Sequence, residues 1–336
     1  MKVSLFLLGY GHVGVRFAQL LHESETALAD LGVEPIIVAV ASRRRGLLFD
    51  PKGLSPAAID AGTKRHTCDL PTIASALREM QHMRVPVLVE TTTLDIKEGE
   101  PATSYVRAAF ASSVHVISAN KGPVAFAYGE LIKEAARAGV SFLFEGAVMD
   151  GIPIFGLIRD TMPTVQVNGF RGVVNSTTNF ILTAMEQGEP FESALARMQQ
   201  AGVAEADPTL DVDGWDAAAK AAVLGNVLLE ASATPLTVTR EGIGPSTVTR
   251  ARAARDRGRR LKLVARGSGR GQQADLRVQL EELEASDPLA ILEGQANALE
   301  LDTWPLGRVV ITQRDGGLEK TAYALLADLV TIARRA

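Results

Sequence analysis

The sequence predicts an α/β chain in which a doubly wound parallel sheet is followed by a second, α+β domain. Three observations predict it. Strand-length apolar runs alternate with amphipathic helical stretches through residues 1–150, and a glycine-spaced turn follows the first run. From about residue 151 the alternation loosens into paired strands. At 336 residues the chain is long enough for two packed domains, because single cores stop growing near about 250–300 residues.

Composition narrows the class. With 46% hydrophobic residues, 22% charged residues and a net charge of −4, the chain reads as a soluble globular protein without the basicity that nucleic acid would require. The lone Cys68, in "RHTCDL", excludes an intramolecular disulfide and fits a reducing compartment; with no partner in the sequence it reads as a passive thiol. The apolar opening is short and runs into glycines without a cleavage site, so it reads as a strand rather than a signal peptide. No apolar run is long enough to span a bilayer, and a cytoplasmic location is expected.

The elements follow in order. "VSLFLLGYGHVGVRFAQLL" is a buried strand, a tight turn and an amphipathic helix. The turn spaces Gly9, Gly11 and Gly14, with His12 and Val13 between them. Gly9 makes the sharp turn, Gly11 lets a pyrophosphate approach the backbone, and Gly14 lets the helix pack closely on the strand. Free amides at the helix start then hold the diphosphate, and the first domain is expected to be of the Rossmann type. The next strand, "PIIVAVAS", ends in Ser42, Arg43, Arg44 and Arg45, where an NAD site usually carries an acid. An arginine there pairs with a 2′-phosphate, so NADP is favoured, with NAD possible. Arg43 is expected to contact the phosphate and one or both of the other two to be surface residues.

Further βα repeats follow. "VPVLVETTT" is a strand ending in hydroxyls at Thr91, Thr92 and Thr93, "PATSYVRAAFAS" is helical, and "HVISANKGP" is a strand ending at Asn120, Lys121 and Gly122. Ligands bind beyond the carboxyl ends of such strands, which puts the threonines and Lys121 where a nicotinamide and its substrate would sit. "AFAYGELIKEAARAGV" is then a helix and "SFLFEGAVMDG" a strand. In the second half "VQVNGFRGVVNSTTNFILTAME" reads as strands, a polar turn and a helix capped by Thr177 or Thr178. "DRGRRLKLVARGSG" and "DLRVQLEEL" are antiparallel strands of a separate sheet, with "NALELDTW" and "GRVVITQR" adding two more. The arginines between 250 and 270 lack interleaved aromatics on which bases would stack, so they read as a solvated helix and strand.

The stretch "EADPTLDVDGWDAAAKAAVLGN", residues 205–226, concentrates the chemistry. Read as an EF-hand, Gly214 at the loop glycine puts Thr209 at the first ligand position and Lys220 where a bidentate Glu belongs; both ends fail, and calcium is excluded by that route. A capped surface helix is one reading, with Asp213 as the cap and Asp216–Lys220 as an i,i+4 pair. The other is a buried helix, because the surroundings are almost wholly small or apolar. There Lys220 is held by Asp216 and can protonate an oxyanion or accept a hydroxyl proton.

Several motifs together resemble one family. The Gly9–Gly14 fingerprint, "SANKGP", "FEGAVMDGIP", "NSTTNFIL", "EADPTLDVDGWDAAAK", "RLKLVA" and "DPLAILEGQANALEL" are similar to those of homoserine dehydrogenase over nearly the whole chain. The resemblance implies reversible, NAD(P)-dependent interconversion of L-homoserine and L-aspartate 4-semialdehyde. It implies that Lys220 donates and accepts the proton with Asp216 orienting it, and that Lys121 is a second active-site lysine on substrate or nicotinamide. Glu205 and Asp211 are implied to receive the substrate's ammonium group, and Thr177 to meet the substrate. Glu145, Val148, Asp150 and Ile152 correspond to a monovalent-cation site, for an ion such as sodium, built largely of backbone carbonyls at the domain hinge. The resemblance also implies a homodimer through the second domain's sheet.

The expected organisation is a nucleotide-binding domain over 1–150, a catalytic and dimerisation domain over 151–310, and a segment of about 311–336 that returns to the first. Its helix is expected at about 318–335. "RDGGLEKTAYALLADLV" lacks the richer glycine run of many family members, although Gly316, Gly317 and Thr321 keep its outline. No regulatory extension is expected. An aspartate-semialdehyde dehydrogenase would need a cysteine nucleophile beyond the cofactor domain, and Cys68 comes too early. Two other readings stand beside the enzyme: a non-catalytic NADP-binding redox sensor, and another amino acid dehydrogenase of similar architecture.

Overall fold

Lys2–Leu8 forms β1, an apolar strand buried along all but its first residue. A strand with no polar alternation belongs inside a sheet covered on both faces, and β1 sits at the centre of one. The computed structural model describes residues 1–62, 68–200 and 207–336. They fall into two compact units, Met1–Gly156 with Leu318–Ala336, and Leu157–Gly317.

In the first unit β1 leads into helices α1 (His12–Glu23) and α2 (Glu25–Asp30), then strands β2 (Glu34–Ser42) and β3 (Gly46–Phe49). Helices α3 (Pro56–Asp60) and α4 (Leu70–Met80) precede β4 (Pro86–Glu90), α5 (Ala102–Ala111), β5 (His115–Ser118), α6 (Lys121–Ala138) and β6 (Phe142–Leu143). The sheet order is β3-β2-β1-β4-β5-β6, parallel except at one edge. There β3 runs antiparallel to β2, because Arg43–Arg45 form a tight turn rather than a crossover. The sheet is thus mixed at its edge, while its remaining pairs are parallel as the alternation predicts.

A departure from the expected strand lies at "SFLFEGAVMDG". Only Phe142–Leu143 is strand; the chain then enters a 3₁₀ turn at Glu145–Ala147. The buried Glu145 carboxylate explains the break, since it accepts the amides of Ile154, Phe155 and Gly156 at 2.5, 2.8 and 2.6 Å and folds the segment back on itself.

The second unit opens with a π-helical turn, Leu157–Thr161, and the strand β7 (Gln166–Val173). Helices α7 (Ser176–Glu186), α8 (Phe191–Gln200), α9 (Thr209–Val212) and α10 (Trp215–Leu228) follow, then β8 (Thr239–Arg240) and α11 (Thr247–Asp256). The strands β9 (Arg259–Ser268), β10 (Asp275–Glu284), β11 (Asn297–Trp304) and β12 (Gly307–Gln313) complete a sheet of order β12-β11-β7-β9-β10-β8. Its pairs are antiparallel except β8 with β10. Helix α10 packs on β9 and β10 and buries ten of its fourteen residues, as its run of small and apolar side chains requires.

Finally α12 (Leu318–Arg335) rejoins the first unit. Its Leu325, Leu329 and Ile332 enter one core with Phe17 and Leu20 and with Val3, Leu5 and Leu7 of β1. Arg16 pairs with Glu23 and Glu319, joining α1 to α12 at the surface. Residues 311–313, expected to begin the returning segment, belong instead to β12, where they continue the ladder with β11.

Candidate active site

The glycine turn forms as its spacing requires. Gly9 adopts φ +94°, and a Cβ there would lie 2.5 Å from the Thr91 carbonyl carbon. A Cβ on Gly14 would lie 2.3 Å from the Gly9 carbonyl oxygen, so the helix reaches the strand only because this side chain is absent. Above Gly11, by contrast, there is open space. Helix α1 starts there with no side-chain cap and no acid in its first turn, which leaves its amides turned toward an anion. Exposed His12 and half-buried Val13 are the first two residues of that helix.

Beyond this turn lies a cleft of about 530 Å³ lined by Gly9, Gly11, Ser42, Arg43, Arg44 and residues 91–93, among others. Both Arg43 and Arg44 are exposed. Arg45 turns away, donating to the Ile59 carbonyl at 2.6 Å and lying over the Tyr10 ring. Cys68 lines the same cleft, a placement the sequence does not signal, and burial pushes its thiol pKa up, which keeps it protonated.

The far end of the cleft is braced by a residue that sequence reasoning passed over. Glu90, the last residue of β4, has no exposed surface. Its carboxyl accepts the Thr92 amide at 2.8 Å, the Thr92 hydroxyl, and the Ser118 hydroxyl at 2.9 Å. Burial pushes its pKa up against these hydrogen bonds. Asn120 completes the brace: its side-chain nitrogen donates to the Thr92 carbonyl at 3.2 Å and its oxygen caps α6 through the Gly122 amide at 2.9 Å. Lys121 is therefore the first residue of a capped helix. Thr91, meanwhile, ties the end of β4 to that of β1 through the Leu8 and Gly9 carbonyls.

In the second unit the acidic stretch folds against β7 and α7. The Lys220 ammonium donates to the Val174 carbonyl at 2.6 Å and pairs with Asp216 Oδ2 at 3.0 Å. Asn175 donates from its one side-chain nitrogen to Asp211 Oδ1 at 2.7 Å and to Asp216 Oδ2 at 2.9 Å. Burial raises the Asp211 pKa and the neighbouring Asp216 charge adds to the rise, while Asn175, Lys220 and Thr177 oppose it. The loop is held in place by the Ile243 amide on the Val212 carbonyl at 2.7 Å and by Arg240 stacked 3.4 Å over the Trp215 ring.

Two capping expectations are corrected here. Asn175, not Thr177 or Thr178, caps α7, accepting the Thr178 amide at 2.8 Å. Its carboxamide oxygen reaches that amide from outside the helix, whereas both threonines lie inside it. Asp213 does not cap α10, because Gly214 holds that N-cap position in a left-handed conformation; Asp213 instead ends α9 as its C-cap. Glu205 lies outside the described residues. Asn120 and Asn175 both stand just before a helix, which is the sequence signal that would have found them; Glu90 leaves only a lone acid at the end of an apolar run.

Of the expected cation residues, Glu145 uses its carboxylate on backbone amides, and its own amide donates to Asp328 at 2.9 Å. Asp150 accepts the Thr321 hydroxyl at 3.1 Å, while Val148 and Ile152 are buried. Among the described residues no group of three or more His, Cys, Asp or Glu side chains is arranged to hold a metal ion.

A dinucleotide fingerprint on a doubly wound sheet, with a lysine–carboxylate centre on a separate α+β unit, defines a nicotinamide-nucleotide-dependent dehydrogenase. Family profiles described as homoserine dehydrogenase and as its NAD-binding domain match residues 153–330 and 9–145. The chain belongs to the homoserine dehydrogenase family. It is 34% identical over 344 residues to the NAD(+)-dependent homoserine dehydrogenase of Pseudomonas canavaninivorans, covering 100% of this chain and 97% of that one. It is 33% identical over 332 residues to the homoserine dehydrogenase of Sulfurisphaera tokodaii, covering 99% of each. The crystal structure of a homoserine dehydrogenase from Thiobacillus denitrificans matches it with a TM-score of 0.83 at 29% identity, covering 99% of this chain and 74% of that one.

Proposed function

We propose that this chain interconverts L-homoserine and L-aspartate 4-semialdehyde, with NADP as the hydride carrier and Lys220 as the proton donor and acceptor. The observation that carries the reading is the Lys220 centre, an ammonium fixed on a carbonyl and a carboxylate beside a second carboxylate. The dinucleotide, when bound, supplies and receives the hydride; the residues of the chain do the rest. Lys220 gives its proton to the oxygen of the aldehyde as it becomes an alkoxide, and takes it back from the hydroxyl in the reverse direction. Asp216 orients the ammonium. Asp211, with Glu205, receives the ammonium of the zwitterionic substrate, and the Thr177 hydroxyl meets the same substrate. Lys121, at the N-terminus of a capped helix, contacts substrate or nicotinamide.

NADP is preferred on this reading because β2 ends at Ser42 and turns through Arg43 and Arg44 with no acid to accept a ribose hydroxyl. Thr91, Thr92 and Thr93 face the nicotinamide end. The carbonyls of Glu145, Val148, Asp150 and Ile152 hold a monovalent cation such as sodium; with the Glu145 carboxylate committed to amides, the backbone is what that residue offers. The protein works as a homodimer through the sheet of its second unit, a reading supported by Trp304 and Leu306, exposed where β11 turns into β12. Sedimentation velocity checks that state, a single monomeric boundary counting against it.

The deciding assay follows absorbance at the reduced-nicotinamide band with L-homoserine and either NADP or NAD. Homoserine-dependent reduction, faster with NADP at limiting cofactor, is expected. Silence with both cofactors while NADP still binds would leave the protein a dinucleotide-binding regulator.

A further inference from the structure

Asn175 makes three hydrogen bonds with one side chain, and they join elements that the sequence separates by up to 41 residues. Its oxygen is identified by the Thr178 amide that points at it, so the nitrogen must face the acids. Each of the two N–H bonds then meets a different carboxylate, Asp211 Oδ1 at 2.7 Å and Asp216 Oδ2 at 2.9 Å. That same Oδ2 of Asp216 is the atom 3.0 Å from the Lys220 ammonium. The residue before Asn175 contributes as well, since the Val174 carbonyl accepts from Lys220 at 2.6 Å. The junction between β7 and α7 therefore grips the lysine directly at residue 174 and through its counter-ion at residue 175.

We infer that Asn175 is the positioning residue of the Lys220 centre, a carboxamide clamp that holds Asp211 and Asp216 together and presents Asp216 Oδ2 to the lysine. The inference rests on the reading of Lys220 as the proton-transfer group. Two acids side by side repel, and one of them would swing away or take up a proton unless a donor bridges them. An arginine or lysine in this place would bridge them but neutralise the charge that Lys220 needs opposite it. An aspartate would add a third negative charge. An amide supplies two donors and no charge, and it does not titrate. With 5% of its surface exposed and all three of its bonds made inside the second unit, Asn175 has no freedom to let the pair separate.

Helix capping is the competing role for Asn175, and two variants separate it from clamping. Serine and aspartate both cap helices about as well as asparagine, and neither can donate to two carboxylates. Asn175→Ser should therefore fold with a Tm close to that of the parent and bind NADP with unchanged affinity, while kcat falls about a hundredfold, the scale of a misplaced catalytic group. The solvent deuterium effect on kcat should rise as proton transfer becomes the slow step. Asn175→Asp should lose at least as much, and it serves if the serine variant does not fold. The double variant Asn175→Ser/Lys220→Ala should be no slower than Lys220→Ala alone, because the clamp has then nothing to position. Turnover of Asn175→Ser within about threefold of the parent would overturn the inference. So would an equal hundredfold loss on the Lys220→Ala background, which would mean that Asn175 acts independently. If Lys220→Ala itself remains fast, it is the assignment of Lys220 that fails, and the two failures are thereby told apart.

Discussion

Lys220 shows how much a side chain's surroundings decide what it can do. On α10 it is the one cation among alanines, and its head is fixed by Val174 and Asp216 rather than left in water. Lys220→Ala should lower kcat by about a thousandfold or more while NADP binding measured by fluorescence stays nearly intact, and strong residual turnover would sink the assignment. Arg43 is argued on the same scale. Arg43→Ala should weaken NADP more than NAD, and equal losses in the two dissociation constants would mean that this arginine does not read the 2′-phosphate. Lys262, on β9, is a third instructive residue. It has no exposed surface, donates to Asn179 at 2.9 Å and to the Leu292 carbonyl, and burial lowers its pKa to about 8. An unfolded lysine titrates near about 10.4, so between these values the unfolded chain binds more protons and stability rises with pH. Below the lower value both states carry the charge and the burial penalty is complete. Urea unfolding at about pH 7 and about pH 10 should show the parent gaining roughly 2 kcal/mol on Lys262→Met, and a pH-independent difference would contradict the shift.

At the scale of elements, asparagine caps at strand ends build the Lys121 region of the first unit and, separately, the Lys220 centre of the second. Asn120 ties the end of β5 to the loop after β4 and starts α6 with Lys121; Asn175 ties the end of β7 to α9 and α10 and starts α7 with Ser176 and Thr177. The elements themselves were largely legible. The apolar runs of β1, β2, β4 and β5, and the alternation in β10 and β12, are local patterns that survive in the fold. The segment "SFLFEGAVMDG" misled because its apolar residues are buried in a turn that distant amides impose, and periodicity carries no sign of that. The antiparallel β3 escaped for a related reason: four residues after a basic turn leave too short a pattern to distinguish a hairpin from a loop.

At the scale of the whole molecule the described residues fall into two units, and Leu318–Ala336 belong with Met1–Gly156. Helix α12 enters the core of the first unit beside α1 and β1, so that core is assembled from segments about 300 residues apart in the chain. A ligand that binds the folded first unit stabilises it by mass action. NADP at a hundred times its dissociation constant should add about 2.7 kcal/mol and raise the calorimetric transition that carries this unit. A transition that does not move would mean that the glycine turn holds no dinucleotide.

The sequence by itself determined the fold class, the glycine turn, the family and the short acidic stretch that carries Lys220, since each is written in neighbouring residues. What only the tertiary structure decided is how those residues meet. Glu90 with Thr92 and Ser118, Asn175 with Asp211 and Asp216, and Lys220 with Val174 are contacts between segments that are distant or differently folded. Hydrogen bonds of this kind depend on where the sheets place the strand ends, and no local pattern of side chains records that placement.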